Sequence, residues 1–206
     1  MPEVRPATDD DLPALGASLA AAFADDPVWT WMAGPHADWT ARATTWFARE
    51  ADAKRRGHAE VLVDDECRGA AIWAPPNRWR STWREALAIA GPSLRLFGRR
   101  LPQGLRLVSM VDKAHPREPH WYLALLGTDP SHQGTGVGGA LITRITDRCD
   151  RDGLPAYLES SKESNVSYYA RHGFAVREVL QVPGGPTLWG MWREPRDPDP
   201  DGDATC

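Results

Sequence analysis

The stretch that most limits what this chain can fold into runs from Trp121 to Asp152. Trp121–Leu126 is almost unbroken apolar sequence, the pattern of a strand buried on both faces. It runs into Leu126-Gly127-Thr128-Asp129-Pro130-Ser131-His132-Gln133-Gly134-Thr135-Gly136-Val137-Gly138-Gly139, a junction dense in glycine. A helix follows from about Gly138 to Asp152. Its apolar stripe is Val137, Leu141, Ile145 and Cys149; Arg144, Asp147, Arg148 and Arg151 face outward, and Gly153 stands where a helix-terminating glycine belongs. Glycines at such a junction let the chain turn tightly and let several N–H groups point one way. The free N–H groups of the helix's first turn add the positive end of its dipole. The product is a cradle for a pyrophosphate.

Two spacings can be read in that loop. Gly134-x-Gly136-x-x-Gly139 fits a dinucleotide pattern, and Glu159 falls 20 residues after Gly139, where a ribose-binding acid would stand. In that pattern, however, the first glycine follows its strand directly, and here Asp129–Gln133 intervene. The chain after Glu159 reads as a short helix and an antiparallel hairpin rather than further βαβ units. The second spacing is Gln133-x-x-Gly136-x-Gly138, preceded by Thr128-x-Pro130 and followed by Asn165-Val-Ser-Tyr-Tyr169-Ala-Arg-His-Gly173-Phe174. These two motifs, in this order, resemble those of the GNAT superfamily of acetyl-CoA-dependent N-acetyltransferases. The similarity extends to the puromycin N-acetyltransferase group over Arg5–Pro27, Ala70–Pro76, His115–Leu141, Leu154–Val176 and Val182–Pro195, whereas 28–69 and 77–114 match poorly.

The rest of the chain fits one α/β domain over residues 1–194. A short strand at Glu3–Pro6 precedes a helix capped by Thr8 and running to about Ala24, which Asp25-Asp26-Pro27 breaks. A second helix is expected over Asp38–Arg56. Strands are expected at Ala59–Val63 and Gly69–Trp73, and one or two helices from Trp79 to Met110, interrupted at Gly91-Pro92. Ala156–Glu159 reads as a strand, Asn165–His172 as a short helix, and Phe174–Val182 with Thr187–Arg193 as a hairpin. Residues 195–206, rich in Asp, Pro and Gly, read as a disordered tail. A net charge of −4 argues against nucleic acid as a partner. No apolar stretch approaches the ~20 residues of a membrane span, and no leader pattern opens the chain, so a cytoplasmic location is expected. Three cysteines, far apart, suggest neither a disulfide framework nor a metal knuckle, so no metal is expected.

The resemblance implies a mixed, mostly antiparallel twisted sheet of about seven strands, flanked by helices and split at the cofactor site. It implies acetyl-CoA as co-substrate, held by Leu126, Gly127, Thr128, Gln133, Gly134, Thr135, Gly136, Val137, Gly138, Gly139 and Asn165. It also implies direct transfer to an amine. That chemistry needs a base for the amine, donors for the carbonyl oxygen as charge develops there, and a partner for the departing thiolate. Tyr169 is the candidate partner, and Glu159, with His120 as the other candidate, is the preferred base. Asp25 and Asp26 beside Trp29 and Trp31 could form an acidic, aromatic mouth, with Trp73 as a further acceptor wall. The expected acceptor is a small antibiotic- or nucleoside-like amine, in resistance or biosynthesis, and the protein a monomer or homodimer. A protein N-acetyltransferase and a non-catalytic CoA-binding regulator are the alternatives.

Overall fold

The structure, a computed structural model, describes residues 2–35 and 38–196. Seven strands, β1 (Val4–Pro6), β2 (Glu60–Asp64), β3 (Gly69–Ala74), β4 (Trp121–Thr128), β5 (Ala156–Ser160), β6 (Ala175–Gln181) and β7 (Thr187–Arg193), form one sheet in the order β1-β2-β3-β4-β5-β7-β6. Every neighbouring pair is antiparallel except β4 and β5. Among the described residues seven α-helices accompany it: α1 (Leu12–Ala22), α2 (Pro27–Ala33), α3 (Trp39–Arg56), α4 (Trp83–Phe97), α5 (Leu101–Ala114), α6 (Val137–Asp152) and α7 (Val166–Arg171). Alternation along the strands divides the apolar residues between two cores. Val61, Val63 and Ile72 join Leu15, Leu19 and Phe47 on one face, while Leu62, Ala71 and Trp73 join Leu141, Ile145 and Leu158 on the other. Cys149 is in the second core, fully buried, as its place on the α6 stripe implies.

The central pair, β4 and β5, diverges. Their parallel register holds only at Trp121↔Ala156, Tyr122↔Tyr157 and Leu123↔Leu158. On the other side of β4 the register with β3 steps from Trp73↔Leu123 to Ile72↔Leu125, which leaves Ala124 as an extra residue, a β-bulge. Beyond it β4 continues to Thr128 along β3 alone. The sheet thus opens into a fork whose inner edge on β4 is free of β5, the split that the resemblance implies.

Several local readings change. Thr8 does not cap α1 by accepting a bond: its N–H and hydroxyl both donate to Asp11 Oδ2, at 2.7 and 2.8 Å, and the helix begins at Leu12. Asp25-Asp26-Pro27 ends one helix and starts another. Asp26 accepts from the N–H groups of Val28 and Trp29 at 2.9 and 3.1 Å, and Pro27 occupies the first turn of α2. Gly91-Pro92 does not interrupt α4, because Gly91 has no Cβ to strike the proline ring. The break falls at Gly98, with φ of +50°, followed by a single 3₁₀ turn over Gly98–Arg100. Asn165 closes a 3₁₀ turn, Glu163–Asn165, and its side chain makes no cap to α7. In the reading of 195–206 as a disordered tail, residues 197–206 lie outside the described residues; the N–H of Arg196 donates to Asp150 at 2.8 Å. No helix among the described residues is long and apolar enough to cross a membrane.

Gly127 has a structural reason of its own. A Cβ there would lie 2.8 Å from Leu19 Cδ2 and 2.9 Å from Ala22 Cβ, so α1 packs directly on the β4 backbone. Gly127→Ala is therefore expected to lower the unfolding free energy by about 1–3 kcal/mol, the usual range for overpacking. Urea unfolding checks this, and an unchanged midpoint contradicts it.

Candidate active site

The fork opens into a continuous cleft of about 1300 Å³. A single drug-sized ligand takes roughly 300–1000 Å³, so there is room for two reactants at once. One arm runs between the β4 end, the start of α6 and α7, lined by Thr128, Gln133, Gly134, Gly136–Gly139, Asn165 and Tyr168. The other runs among α2–α5, lined by Trp29, Trp46, Glu50, Phe97 and Trp79. Glu159 and Tyr169 line the same cleft, past the point where β5 leaves β4.

The first arm has the features of an anion cradle. Gly134 and Gly136 hold φ of +78° and +88°, left-handed values that aim the chain into α6 and that side chains rarely adopt. Gly138 has no room for a side chain: a Cβ would lie 2.7 Å from the Tyr168 hydroxyl. α6 presents its unpaired first-turn N–H groups at this end, the arrangement that favours a phosphate. The inner edge of β4, free of β5 beyond Leu123, offers main-chain groups to an extended amide-bearing chain. The structure brings together here every residue expected of the loop except Thr135, whose exposed hydroxyl bonds to His132 O at 2.7 Å and which does not line the cleft. Leu126, Gly127 and Val137 also line it. Arg171 and His172, at the end of α7, face the cradle and were missed; two basic groups just before Gly173 were the available signal.

At the fork, hydrogen-bond polarity organises a chain of four residues. The Glu118 carbonyl can only accept, so His120 Nδ1, 2.6 Å away, carries the proton. Burial lowers the His120 pKa and keeps the ring neutral, which leaves its Nε2 as an acceptor. His115 Nε2, at 3.0 Å, therefore donates to it, and His115 Nδ1 presents a lone pair toward Glu159 Oε1 at 3.6 Å. The other Glu159 oxygen accepts from the Tyr122 hydroxyl at 2.8 Å. His115 Nδ1 and Glu159 Oε1 are both buried without a hydrogen-bond partner. Trp79 stacks on His115 with centroids 3.7 Å apart and holds the ring in place. His120 is buried behind His115 and does not itself line the cleft. His115 went unnoticed in the sequence although it opens the same loop, His115-Pro-Arg-Glu-Pro-His120.

Tyr169 is buried, and burial pushes its phenol well above the usual tyrosine value, with Tyr168 and Asp26 adding to the effect. It stays protonated and can donate.

Of the residues expected at the acceptor mouth, the cleft brings together only Trp29 and Asp26. Trp31 instead props the β6–β7 turn, donating from Nε1 to Gly184 O at 2.7 Å. Asp25 lies outside, paired with Lys162 at 2.7 Å. Asp26 reaches the cleft wall, but as the α2 cap bonded also by Ser161 Oγ its carboxylate is already committed. Trp73 is fully buried in the α6-side core, because strand alternation turns Ile72 to the cleft in its place.

The sequence pattern of the Acetyltransferase (GNAT) family matches residues 17–174. An uncharacterized N-acetyltransferase of Schizosaccharomyces pombe is 31% identical over 133 residues, 59% of this chain and 53% of that protein. The chain thus spans about half the length of that curated relative. Among solved structures, one described as histone acetyltransferase HPA2 and related acetyltransferase, from Corynebacterium glutamicum, superposes with a TM-score of 0.73 at 25% identity, covering 96% of this chain and 98% of that one. PaiA N-acetyltransferase of Thermoplasma acidophilum, solved in complex with coenzyme A, has the same fold at a TM-score of 0.53 and 12% identity, over 94% and 99% of the two chains. If the cradle takes a coenzyme A pyrophosphate, Gly136→Val, a β-branched residue forced to positive φ, is expected to weaken coenzyme A binding at least about tenfold, or ~1.4 kcal/mol. Calorimetry on the folded variant decides it; unchanged affinity places the ligand elsewhere.

Proposed function

The chain belongs to the GNAT acetyltransferase family, and we propose from that premise that it transfers acetyl from acetyl-CoA directly to a primary amine of a small molecule. The single observation that carries the proposal is the fork: one cleft receives the glycine cradle, the free β4 edge, the Tyr169 phenol and the Glu159–His115 pair. Aromatic walls on the acceptor arm, Trp29, Trp46 and Phe97, favour a compact amine with an apolar body, the size class of an amino-nucleoside or amine antibiotic, over a peptide.

Bound acetyl-CoA supplies the carbonyl to be attacked and the thiolate that leaves. The chain's residues do the rest. Glu159 receives a proton from the acceptor ammonium, and His115 Nδ1 stands 3.6 Å from its Oε1. His120 fixes the tautomer of His115 and so keeps Nδ1 free to accept. Main-chain N–H groups of β4 beyond the Ala124 bulge, not engaged by β5, stabilise negative charge on the carbonyl oxygen. Tyr169 donates its phenolic hydrogen to the departing sulfur, and its raised pKa keeps that hydrogen in place at neutral pH. Tyr122 holds the second Glu159 oxygen and sets the carboxylate's orientation.

Free-thiol release from acetyl-CoA in the presence of small amines, with peptide amines as the contrast, tests the activity. Release with none of them contradicts it, and release with peptides alone contradicts the small acceptor. Tyr169→Phe removes one hydroxyl and keeps the ring; kcat is expected to fall roughly 10- to 1000-fold with acetyl-CoA affinity held. A wild-type rate in that variant reduces Tyr169 to packing. Glu159→Gln is expected to lower kcat/KM at neutral pH and to recover part of it as pH rises, because the amine then arrives already neutral. A higher KM with kcat intact would instead make Glu159 a binding group for the acceptor's charge.

A further inference from the structure

Among the described residues, two carboxylate oxygens are buried without any hydrogen-bond partner, Glu159 Oε1 and Glu50 Oε2. Both residues line the same cleft. The mechanism uses the first and leaves the second unexplained. A buried carboxylate oxygen without a partner is costly, and because Glu50 lines the cleft, a donor on a bound substrate can reach it.

Glu50 lies on α3, one turn after Trp46, where both side chains reach the acceptor arm. The local charges do not balance. Lys54 is the cation of the group, and it is drawn to Glu85, with Nζ at 3.3 Å from Glu85 Oε2 and 2.7 Å from Ser81 Oγ. It stands 3.9 Å from Glu50 Oε1, too far for a hydrogen bond. Glu85 is itself committed to the α4 capping box, accepting from Thr82 N at 2.7 Å. One cation thus stands between two carboxylates and gives its hydrogen bond to Glu85, which leaves Glu50 Oε2 without a donor. Burial raises the Glu50 pKa, Lys54 only partly opposes this, and Glu85 adds to it. Elsewhere on the lining, Asp26 is saturated as a helix cap, and Arg80 lies over the Trp79 ring at 4.7 Å. The walls near Glu50 are electron-rich rings: Trp46, pinned by its Nε1 bond to Ser93 Oγ at 2.9 Å, packs on Trp29 and Phe97 with centroids 4.9 and 5.9 Å away. Indole faces attract ammonium and guanidinium groups.

We infer that Glu50 is a specificity-determining residue that binds a second cationic group of the acceptor, so that the preferred substrates are dications: a primary amine delivered to Glu159 and an ammonium or guanidinium seated at Glu50, joined by an apolar spacer along the aromatic wall. This rests on the acyl-transfer reading for the identity of the reacting end.

The test compares 1,n-diaminoalkanes of four to twelve carbons with n-alkylamines of equal length, on wild type and Glu50→Gln, both saturated with coenzyme A for calorimetry and with acetyl-CoA for kinetics. Glutamine keeps the shape of the side chain and removes the charge, while the Lys54–Glu85 pair stays intact. In wild type, at least one diamine is expected to bind about tenfold or more tightly than its monoamine. In Glu50→Gln that advantage is expected to vanish, through a higher diamine KM with kcat preserved, the mark of lost uniform binding. A wild-type protein with no diamine advantage at any length, or an advantage that survives in Glu50→Gln, overturns the inference. If diamines bind in a Glu50-dependent way but no thiol is released, the binding role stands and the acetyl-transfer reading fails.

Discussion

The structure turns on a pairing that stops. β4 and β5 share three registered positions and then part, helped by the Ala124 bulge that shifts β4 against β3. In most sheets an internal strand has both edges satisfied, and unpaired main-chain groups there are costly. Here the unpaired edge is kept open between two packed layers of helices. The candidate site residues gather at its rim: the glycine loop at the end of β4, Glu159 on β5, Tyr169 on α7 and the His115–His120 loop that leads into β4.

The fork also explains why the acidic and histidine groups can stay buried. His120 and His115 point their donors in one direction, from a carbonyl that fixes the first tautomer to a carboxylate that faces the last lone pair. Burial disfavours charge on His120. His115 Nδ1 and Glu159 Oε1 thus face each other at 3.6 Å on the wall of the cleft. The aromatic packing of Trp79, Tyr122 and Tyr157 around His115 keeps that geometry.

Much of this was legible in the chain. The buried strand, the glycine loop, the α6 stripe and the Asn165–Phe174 segment have local signatures, and each reappears in place, with the sheet split where the resemblance implies. The site residues read from them, Gln133 to Gly139 except Thr135, with Asn165, Tyr169 and Glu159, do line the cleft. What was not legible depends on partners remote in sequence. Asp-Asp-Pro reads equally as a helix end and as a helix start, and only the fold shows Asp26 capping α2. Trp31 and Trp73 look alike as aromatic walls, yet one serves a turn and the other the core, a choice made by strand phase and helix rotation. Glu50 and His115 carry no motif at all. Their roles arise because α3 and the α5–β4 loop meet a cleft whose other wall is more than a hundred residues away in the chain for Glu50. The acceptor arm is drawn largely from α2–α5, the regions where the resemblance to characterised enzymes fades.

The central claim is that the open β4 edge and the α6 cradle together hold the thioester-bearing substrate. Amide hydrogen exchange read by mass spectrometry, with and without coenzyme A, tests it at the groups themselves. Slowed exchange is predicted in two segments, the outer half of β4 at 124–128 and the loop with the first turn of α6 at 133–140. Protection that spares both segments, or that falls only on the acceptor arm of α2–α5, would contradict the account.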